Sequence, residues 1–512
     1  MVASARTNET APHVPLLIGG TPTSTEQWLT IHDPAAPRRI VGYAAAASTE
    51  QAKLAIDAAH DAWKEWRRLD PELRAEQLVS ALGRLQKEHD ERIELLVGET
   101  GKIIGEAEIE LRVFEARCQL AARLAGELNR VRELPRLEER PQPGLVEGGR
   151  RAQVRPTTTT PFRSSVSMMP AGVVTLIVPY NWPLAILAAS LPYALVAGCT
   201  VIVKPPPTAP LCLGRTLQLL AEELPPGVLN VVSGTNEAVA PVIRDPRVRH
   251  LVFTGSTEAG KAMMRMAADN LTRVTLELGG NDPAFVLDDA TIDPPTLQRL
   301  VAAAFTTSGQ VCMGIKRLYV HRSRYADVVR GMSEVLDSFR VGHGLSRSST
   351  MGPLHSARQL DDVRELVEEA RAHGHEVLEL GIVDDAAGRD GGYFTRPMLV
   401  LDPAPDLRIV TEEQFGPVLP ILPFSDVEPL LDQVNEEWSG LCSSVWTSNL
   451  ARAQALAARL RTGTTWINDA NAVAQDDRAP FGGFRQSGIG RELGLEGLLG
   501  FTEYHTVTYP AE

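Results

Sequence analysis

Gly172-Val173-Val174-Thr175-Leu176-Ile177-Val178 leads through Pro179-Tyr180-Asn181-Trp182-Pro183 and a longer apolar stretch, Leu184 to Val196, into Thr200-Val201-Ile202-Val203-Lys204. The first and last runs are short, β-branched and bounded by turn residues, so they read as buried strands with a helix between them. The alternation goes on: a helix over Leu211 to Leu224, strands over Leu229 to Val232 and His250 to Phe253, a helix over Glu258 to Ala268 and a strand over Val274 to Glu277. Strands alternating with helices predict an α/β fold built on a parallel sheet. Ligands of such sheets sit at the carboxyl ends of the strands, and Asn181, Lys204, Gly255-Ser256 and Glu277 each follow or end one. No charged residue stands between Arg163 and Lys204, yet Pro170, Pro179, Pro183, Pro192 and Asn181 interrupt the run, and a membrane span needs about 20 continuous apolar residues.

Toward the N-terminus, residues 1 to 47 read as a polar tail followed by short strands, with no apolar segment of a secretory signal. Ser48-Thr49-Glu50-Gln51 is a capping box that opens a helix with Ala52, Ile56, Ala59, Trp63 and Trp66 at helical spacing. Pro71 starts a second helix, where its missing N–H costs nothing. A third is expected from about Gly105 to Glu127. From 130 to 165, Pro135, Pro141, Pro143 and Pro156 alternate with Arg132, Arg136, Arg140, Arg150, Arg151 and Arg155. This stretch reads as a solvated loop or an inter-subunit arm.

Beyond residue 281 a second α/β unit follows, with helices over Tyr325 to Phe339, Ala357 to His373 and Ala451 to Leu460. Strands are expected near Leu399-Val400, Ile421-Leu422 and Ser444 to Trp446. A chain of 512 residues is long enough for two or three domains. Its net charge of -13 argues against nucleic-acid or anionic-membrane partners. Five scattered cysteines without a Cys-x-x-Cys pair suggest neither a disulfide framework nor a metal site, and fit a reducing cytoplasm.

Three segments carry reactive groups. Phe305-Thr306-Thr307-Ser308-Gly309-Gln310-Val311-Cys312-Met313-Gly314 places one cysteine in a loop before the strand Leu318-Tyr319-Val320. It is either a nucleophile or a small buried hydrophobe. Gly255-Ser256-Thr257-Glu258-Ala259-Gly260 joins a strand to a helix, whose N-terminus suits a pyrophosphate. Glu277, before Leu278-Gly279-Gly280, is a carboxylate at a strand end that could serve as a general base or rest in an ion pair.

Seven motifs then stand in order: Val178-Pro179-Tyr180-Asn181-Trp182-Pro183, Val203-Lys204-Pro205, Phe253-Thr254-Gly255-Ser256, Leu276-Glu277-Leu278-Gly279-Gly280-Asn281, Gly309-Gln310-Val311-Cys312, Glu412-Glu413-Gln414-Phe415-Gly416-Pro417 and Pro480-Phe481-Gly482-Gly483. Together with Met351-Gly352-Pro353, Gly392-Tyr393-Phe394, Ser487-Gly488 and Gly490-Arg491-Glu492, they resemble the aldehyde dehydrogenase superfamily over residues 15 to 508. The resemblance implies a Rossmann-type cofactor domain (1–135 and 165–280), an α/β catalytic domain (281–490) and a small β oligomerisation arm (136–164 and 491–512) of a homodimer or homotetramer. It implies oxidation of an aldehyde to the acid with NAD(P). Cys312 would be the nucleophile, Asn181 and the Cys312 N–H the oxyanion hole, and Glu277 the base toward water. Val178, Pro179, Tyr180, Lys204, Gly255, Ser256, Gly260, Glu277, Leu278, Gly279, Glu413 and Phe415 would contact the cofactor. Trp182, Ala189, Val311, Met313, Asn471 and Gln475 would line the substrate tunnel, with no metal.

The chain departs from the family pattern in places. Pro207 stands where NAD-using members often carry a glutamate that grips the ribose 2′-hydroxyl, so NAD is expected with room for NADP. Thr307 replaces a frequent asparagine. The apolar tunnel residues favour a medium apolar or aromatic aldehyde; a semialdehyde would need a basic tunnel residue, for which Arg478 is the candidate. A CoA-acylating enzyme generally lacks the glutamate at position 277, and a catalytically silent homologue would have no need to keep Cys312, Glu277 and Asn181 together.

Overall fold

Residues 11–136, 161–384 and 390–511 are described in the computed structural model, with the backbone of the short strands Val2–Ala3, Val146–Glu147 and Arg150–Arg151. Strands buried at every position sit inside a sheet covered on both faces, and Val173–Ile177 and Thr200–Lys204 are such strands. They lie side by side and parallel at the centre of an eight-stranded sheet. Val248–Thr254 and Arg273–Glu277 extend it on one side and Leu229–Val231 on the other, all parallel. Chain order reverses between Val173–Ile177 and Val248–Thr254, and a crevice opens at such a switch point beyond the carboxyl ends.

The second sheet has seven strands, in the order 376–379, 398–401, 418–424, 317–321, 283–286, 442–446, 464–467. Only Glu376–Glu379 runs antiparallel to its neighbour. One continuous apolar core, containing Phe114, Leu176, Leu300 and Leu318, joins the two sheets and holds their edges in fixed relation. A third sheet pairs Phe162–Pro170 with Thr502–Pro510 along their whole length, and with Arg132–Glu133. The arm expected over 136–164 falls mostly outside the described residues, Arg140 and Arg155 among them.

Several expectations need correction. The helix expected over Leu184 to Val196 is two, Pro183–Leu187 and Leu191–Ala197, because Pro192 has no N–H to continue the ladder. The helix expected to Glu127 ends at Arg123 and passes into a 3-10 turn, Ala125–Asn129. His89–Thr100 is a helix without a clear apolar stripe, since Arg92 and Glu99 occupy buried positions. Pro294–Phe305 opens on two prolines in its first turn, where a missing N–H costs nothing. Among the described residues no helix is long and apolar enough to cross a membrane.

Candidate active site

The helix Pro294–Phe305 delivers the chain to Thr307, Ser308 and Gly309, with φ of 53°, 55° and 72°. Left-handed backbone costs a non-glycine residue roughly 1–2 kcal/mol, so this loop needs outside support. Thr307 N–H donates to Glu106 Oε1 at 2.6 Å, Thr307 Oγ1 accepts from Trp182 Nε1 at 3.0 Å, and Ser308 Oγ donates to the Gly352 carbonyl at 2.8 Å. Position 309 must be glycine, because a Cβ there would overlap the Gly416 carbonyl. The next turn presents Cys312, half-buried.

Asn181 arrives from the other sheet. Its Nδ2 donates to the Gln310 carbonyl at 2.9 Å, two residues before Cys312, and leaves a second N–H on the same nitrogen. The Asn181 backbone carbonyl accepts from Lys102 Nζ at 2.8 Å; that ammonium is also paired with Glu110 and lies 4.3 Å from the Trp182 ring. Glu110 in turn accepts from Leu184 N–H at 2.8 Å, capping the helix that follows Asn181. The helix Ile104–Arg123 therefore braces both the nucleophile loop, through Glu106, and the Asn181 turn, through Glu110.

Around Cys312 a cavity of about 290 Å³ is lined by Pro179, Tyr180, Asn181, Ile186, Thr254, Gly255, Ser256, Glu277, Leu278, Gly279, Gln359, Glu413 and Phe415. Most of the cofactor residues expected from sequence therefore share one cavity with Cys312, Asn181 and Glu277. Lys204, Val178 and Gly260 do not line it. Lys204 is buried, its ammonium lowered to about 8 by desolvation. Val178 N–H reaches the Lys204 carbonyl at 3.5 Å, and Gly260 packs beneath Leu278.

Burial governs the charges. It raises the Glu277 carboxyl well above its ordinary value, with Glu492 adding to the rise and Arg491 opposing it. Neither Glu277 oxygen has a partner. Burial also lifts Glu413 to about 7, opposed by Lys316. The Cys312 thiol is pushed up to about 12 by burial and then by Glu413, Asp282 and Glu277, against the pull of Lys316. Burial thus disfavours the ionised form of both groups.

Next to the thiol, Trp182, Ala185 and Val311 form a small apolar cluster with Val113, Ile186 and Met313 packed against it. Ala189 lies instead in the main core. The Asn471 amide is spent on the Ala303 carbonyl and Ala472 N–H. Gln475 donates to the Asp476 carbonyl at 3.1 Å. Arg478 is exposed and paired with Asp476 at 2.7 Å, while Arg117, unremarked in the sequence, makes two bonds to Asp477 (2.9 and 2.8 Å) and one to the Ala185 carbonyl. Val113, Ile186 and Arg117 were legible only as helix residues; a contact map, not a motif, brings them here.

The dinucleotide expectation can be tested on these residues. Ser256 caps the helix Thr257–Ala268, accepting from Ala259 N–H at 3.3 Å, and the remaining N–H groups of that turn suit a pyrophosphate. Glu413 Oε1 is buried without a partner, as an acceptor awaiting hydroxyl donors would be. Gly279 leaves room for it, since a Cβ there would strike the Glu413 carboxylate. The cradle fits.

Comparison with known proteins agrees with this geometry. The family model of the aldehyde dehydrogenase family matches residues 21–507. Phenylacetaldehyde dehydrogenase of Pseudomonas fluorescens is 37% identical over 350 residues, 68% of this chain and 68% of that one. An NADP-dependent enzyme of E. coli superposes with a TM-score of 0.88 at 28% identity, covering 98% of both chains. Betaine aldehyde dehydrogenase of Staphylococcus aureus, solved with NAD+, gives 0.87 at 27% identity over 97% of this chain and 94% of that one. With a match over nearly all of its length and this site at the junction of its eight- and seven-stranded sheets, the chain belongs to the aldehyde dehydrogenase family of oxidoreductases.

Proposed function

We propose that the protein oxidises a medium apolar or aromatic aldehyde to its carboxylic acid with NAD or NADP, using Cys312 as nucleophile and Glu277 as the base toward water. The convergence of Cys312, Glu277 and Asn181 on one cavity with the dinucleotide cradle carries this reading. The dinucleotide, when bound, supplies the hydride acceptor; Ser256, Gly255, Glu413, Phe415, Leu278 and Gly279 would hold it. Cys312 Sγ attacks the carbonyl carbon, and the Asn181 amide and Cys312 N–H stabilise the oxyanion as it develops. Oxidation leaves a thioester on Cys312. Glu277, once deprotonated, takes a proton from the water that hydrolyses it.

The apolar substrate class is supported by the cluster around Trp182 and Val311, and by the pairing of Arg117 with Asp477, which among the described residues leaves no unneutralised guanidinium there for a substrate carboxylate. Likeness to a phenylacetaldehyde dehydrogenase points the same way. NAD remains the favoured cofactor, with Pro207 leaving space for a 2′-phosphate. The strand Thr502–Pro510, exposed along nearly all its length at a sheet edge, supports a homodimer or homotetramer, and five free cysteines support residence in a reducing cytoplasm. The test is turnover of hexanal, phenylacetaldehyde and succinic semialdehyde with either dinucleotide. Acid product that vanishes in Cys312→Ala is expected; a highest kcat/KM for the semialdehyde, or acyl-CoA product when CoA is added, would overturn the reading.

A further inference from the structure

Four residues beyond Cys312 lies a buried cation that the mechanism above does not use. Lys316 is 3% exposed. Its Nζ donates to the Gly309 carbonyl at 2.9 Å, in the left-handed loop ahead of Cys312. The same nitrogen stands 5.2 Å from the centre of the ring of Phe415, which lines the cavity. The backbone brings it there: Lys316 N–H and Arg317 N–H both donate to the Asp282 carbonyl at the start of the strand Arg317–His321.

The groups facing the Cys312 thiol are Glu413 on the cofactor wall, Asp282 beneath the loop, Glu277 at the end of its strand, and Lys316. Cys442, on the neighbouring strand, is buried against Asp282. Glu413, Asp282 and Glu277 are potential anions, and Lys316 is the cation among the groups acting on Cys312. The nearby guanidiniums are committed elsewhere: Arg317 to Glu437 and the Asn281 carbonyl, Arg491 to the Gly483 carbonyl.

We propose that Lys316 is a positioning residue of the active site: its ammonium supports the Cys312 thiolate and the Glu413 carboxylate at once, and its bond to Gly309 ties the nucleophile loop to the cofactor wall. An opposite charge favours the ionised form of each partner, and one buried ammonium between a thiol and a carboxyl acts on both. The consequence is coupling. Neutralising Glu413 leaves more of the Lys316 charge to Cys312, and removing Lys316 weakens both partners together. Burial works against the Lys316 ammonium, and Glu413, Asp282 and Cys312 oppose that effect and favour its charge.

The inference rests on Cys312 as the nucleophile, so its test is a labelling rate that needs no turnover. The full-length protein is alkylated with iodoacetamide between pH 6.5 and 9.5, and the Cys312 peptide is quantified by mass spectrometry. Lys316→Gln keeps a donor for the Gly309 carbonyl without the charge; Lys316→Arg keeps the charge. Alkylation at least threefold slower at every pH in Lys316→Gln, and within twofold of wild type in Lys316→Arg, is expected. The KM for the dinucleotide should rise severalfold in the former alone. Equal rates in all three proteins, or equal slowing in both variants, would overturn it. Should Lys316→Gln not fold, the neutral pair Lys316→Gln/Glu413→Gln is compared with Glu413→Gln. Threefold slower labelling in the pair supports the proposal, and equal labelling defeats it. Turnover that survived Cys312→Ala would instead sink the earlier assignment, whatever the labelling showed.

Discussion

Asn181 Nδ2 donates to the Gln310 carbonyl across 2.9 Å, so a side chain at the end of one sheet's central strand pins the loop that presents Cys312 from the other. In the proposed mechanism the same nitrogen serves as tie and as oxyanion donor. Asn181→Ala removes both, and loss of one oxyanion donor typically lowers kcat by about 10²–10³-fold. We expect that loss with KM little changed. Steady-state kinetics would check it; a fall confined to KM would show that Asn181 binds the ground state instead.

Glu277 and Gly482 compete for one space. A Cβ at position 482 would stand 2.7 Å from Glu277 Oε1, so Gly482→Ala should displace the base and leave the thiol in place. A misplacement of 1 Å can cost about 10²-fold. Steady-state turnover should fall by that order, while the first equivalent of reduced cofactor still forms in a rapid burst, because in the proposed mechanism acylation needs Cys312 and only hydrolysis needs Glu277. Stopped-flow absorbance separates the two steps. Loss of the burst along with turnover would place the damage at Cys312.

The pH dependence follows from the same groups. Burial and Glu492 raise Glu277 well above its ordinary value, and Glu492, bonded by Ser190 Oγ at 2.6 Å, is itself lifted to about 7. A base works only after losing its proton, so hydrolysis should increase as the pH rises beyond the ordinary carboxyl range. Glu492→Gln removes the like charge, lowers the Glu277 value and should move the ascending limb of kcat to lower pH. An unmoved limb in this variant would detach Glu492 from the base.

Much of this was legible in the chain itself. The buried strands Val173–Ile177 and Thr200–Lys204 declared themselves by continuous apolar, β-branched residues, and Asn181, Ser256 and Glu277 follow from where such strands end. The tunnel was less legible. Asn471 and Ala189 carry no local sign that one spends its amide on Ala303 and the other packs into the core. Arg117 and Val113 reach the site from a helix whose sequence shows only amphipathic spacing. Glu99 disguised the helix His89–Thr100, because its partners, the Leu211 and Cys212 N–H groups, lie far away in the chain.

Pro207 bears on cofactor choice. Replacing it by glutamate would place a carboxylate three residues beyond Lys204, where it would repel a 2′-phosphate and accept from a ribose hydroxyl. Pro207→Glu should raise the KM for NADP at least tenfold relative to that for NAD. An unchanged ratio would mean that the adenosine ribose lies away from this turn.

Glu99 offers a test of stability rather than catalysis. It is fully buried and accepts from Leu211 N–H at 2.7 Å and Cys212 N–H at 2.8 Å, at the start of the helix Leu211–Ala221. Burial lifts its carboxyl from 4.5 to about 8, and the two backbone bonds oppose the rise. Between those values the folded chain holds a proton that the unfolded chain has released. Raising the pH across that window therefore removes stability. Glu99→Gln has no proton to lose, and its amide can still accept from one of the two N–H groups. The variant should be less stable than wild type near pH 5, by the order of one lost buried hydrogen bond, about 1–3 kcal/mol. The gap should close as the pH approaches 8. Thermal unfolding of both proteins at pH 5, 6.5 and 8 reads this directly, and a gap that stayed constant would show Glu99 to be ionised in the fold throughout.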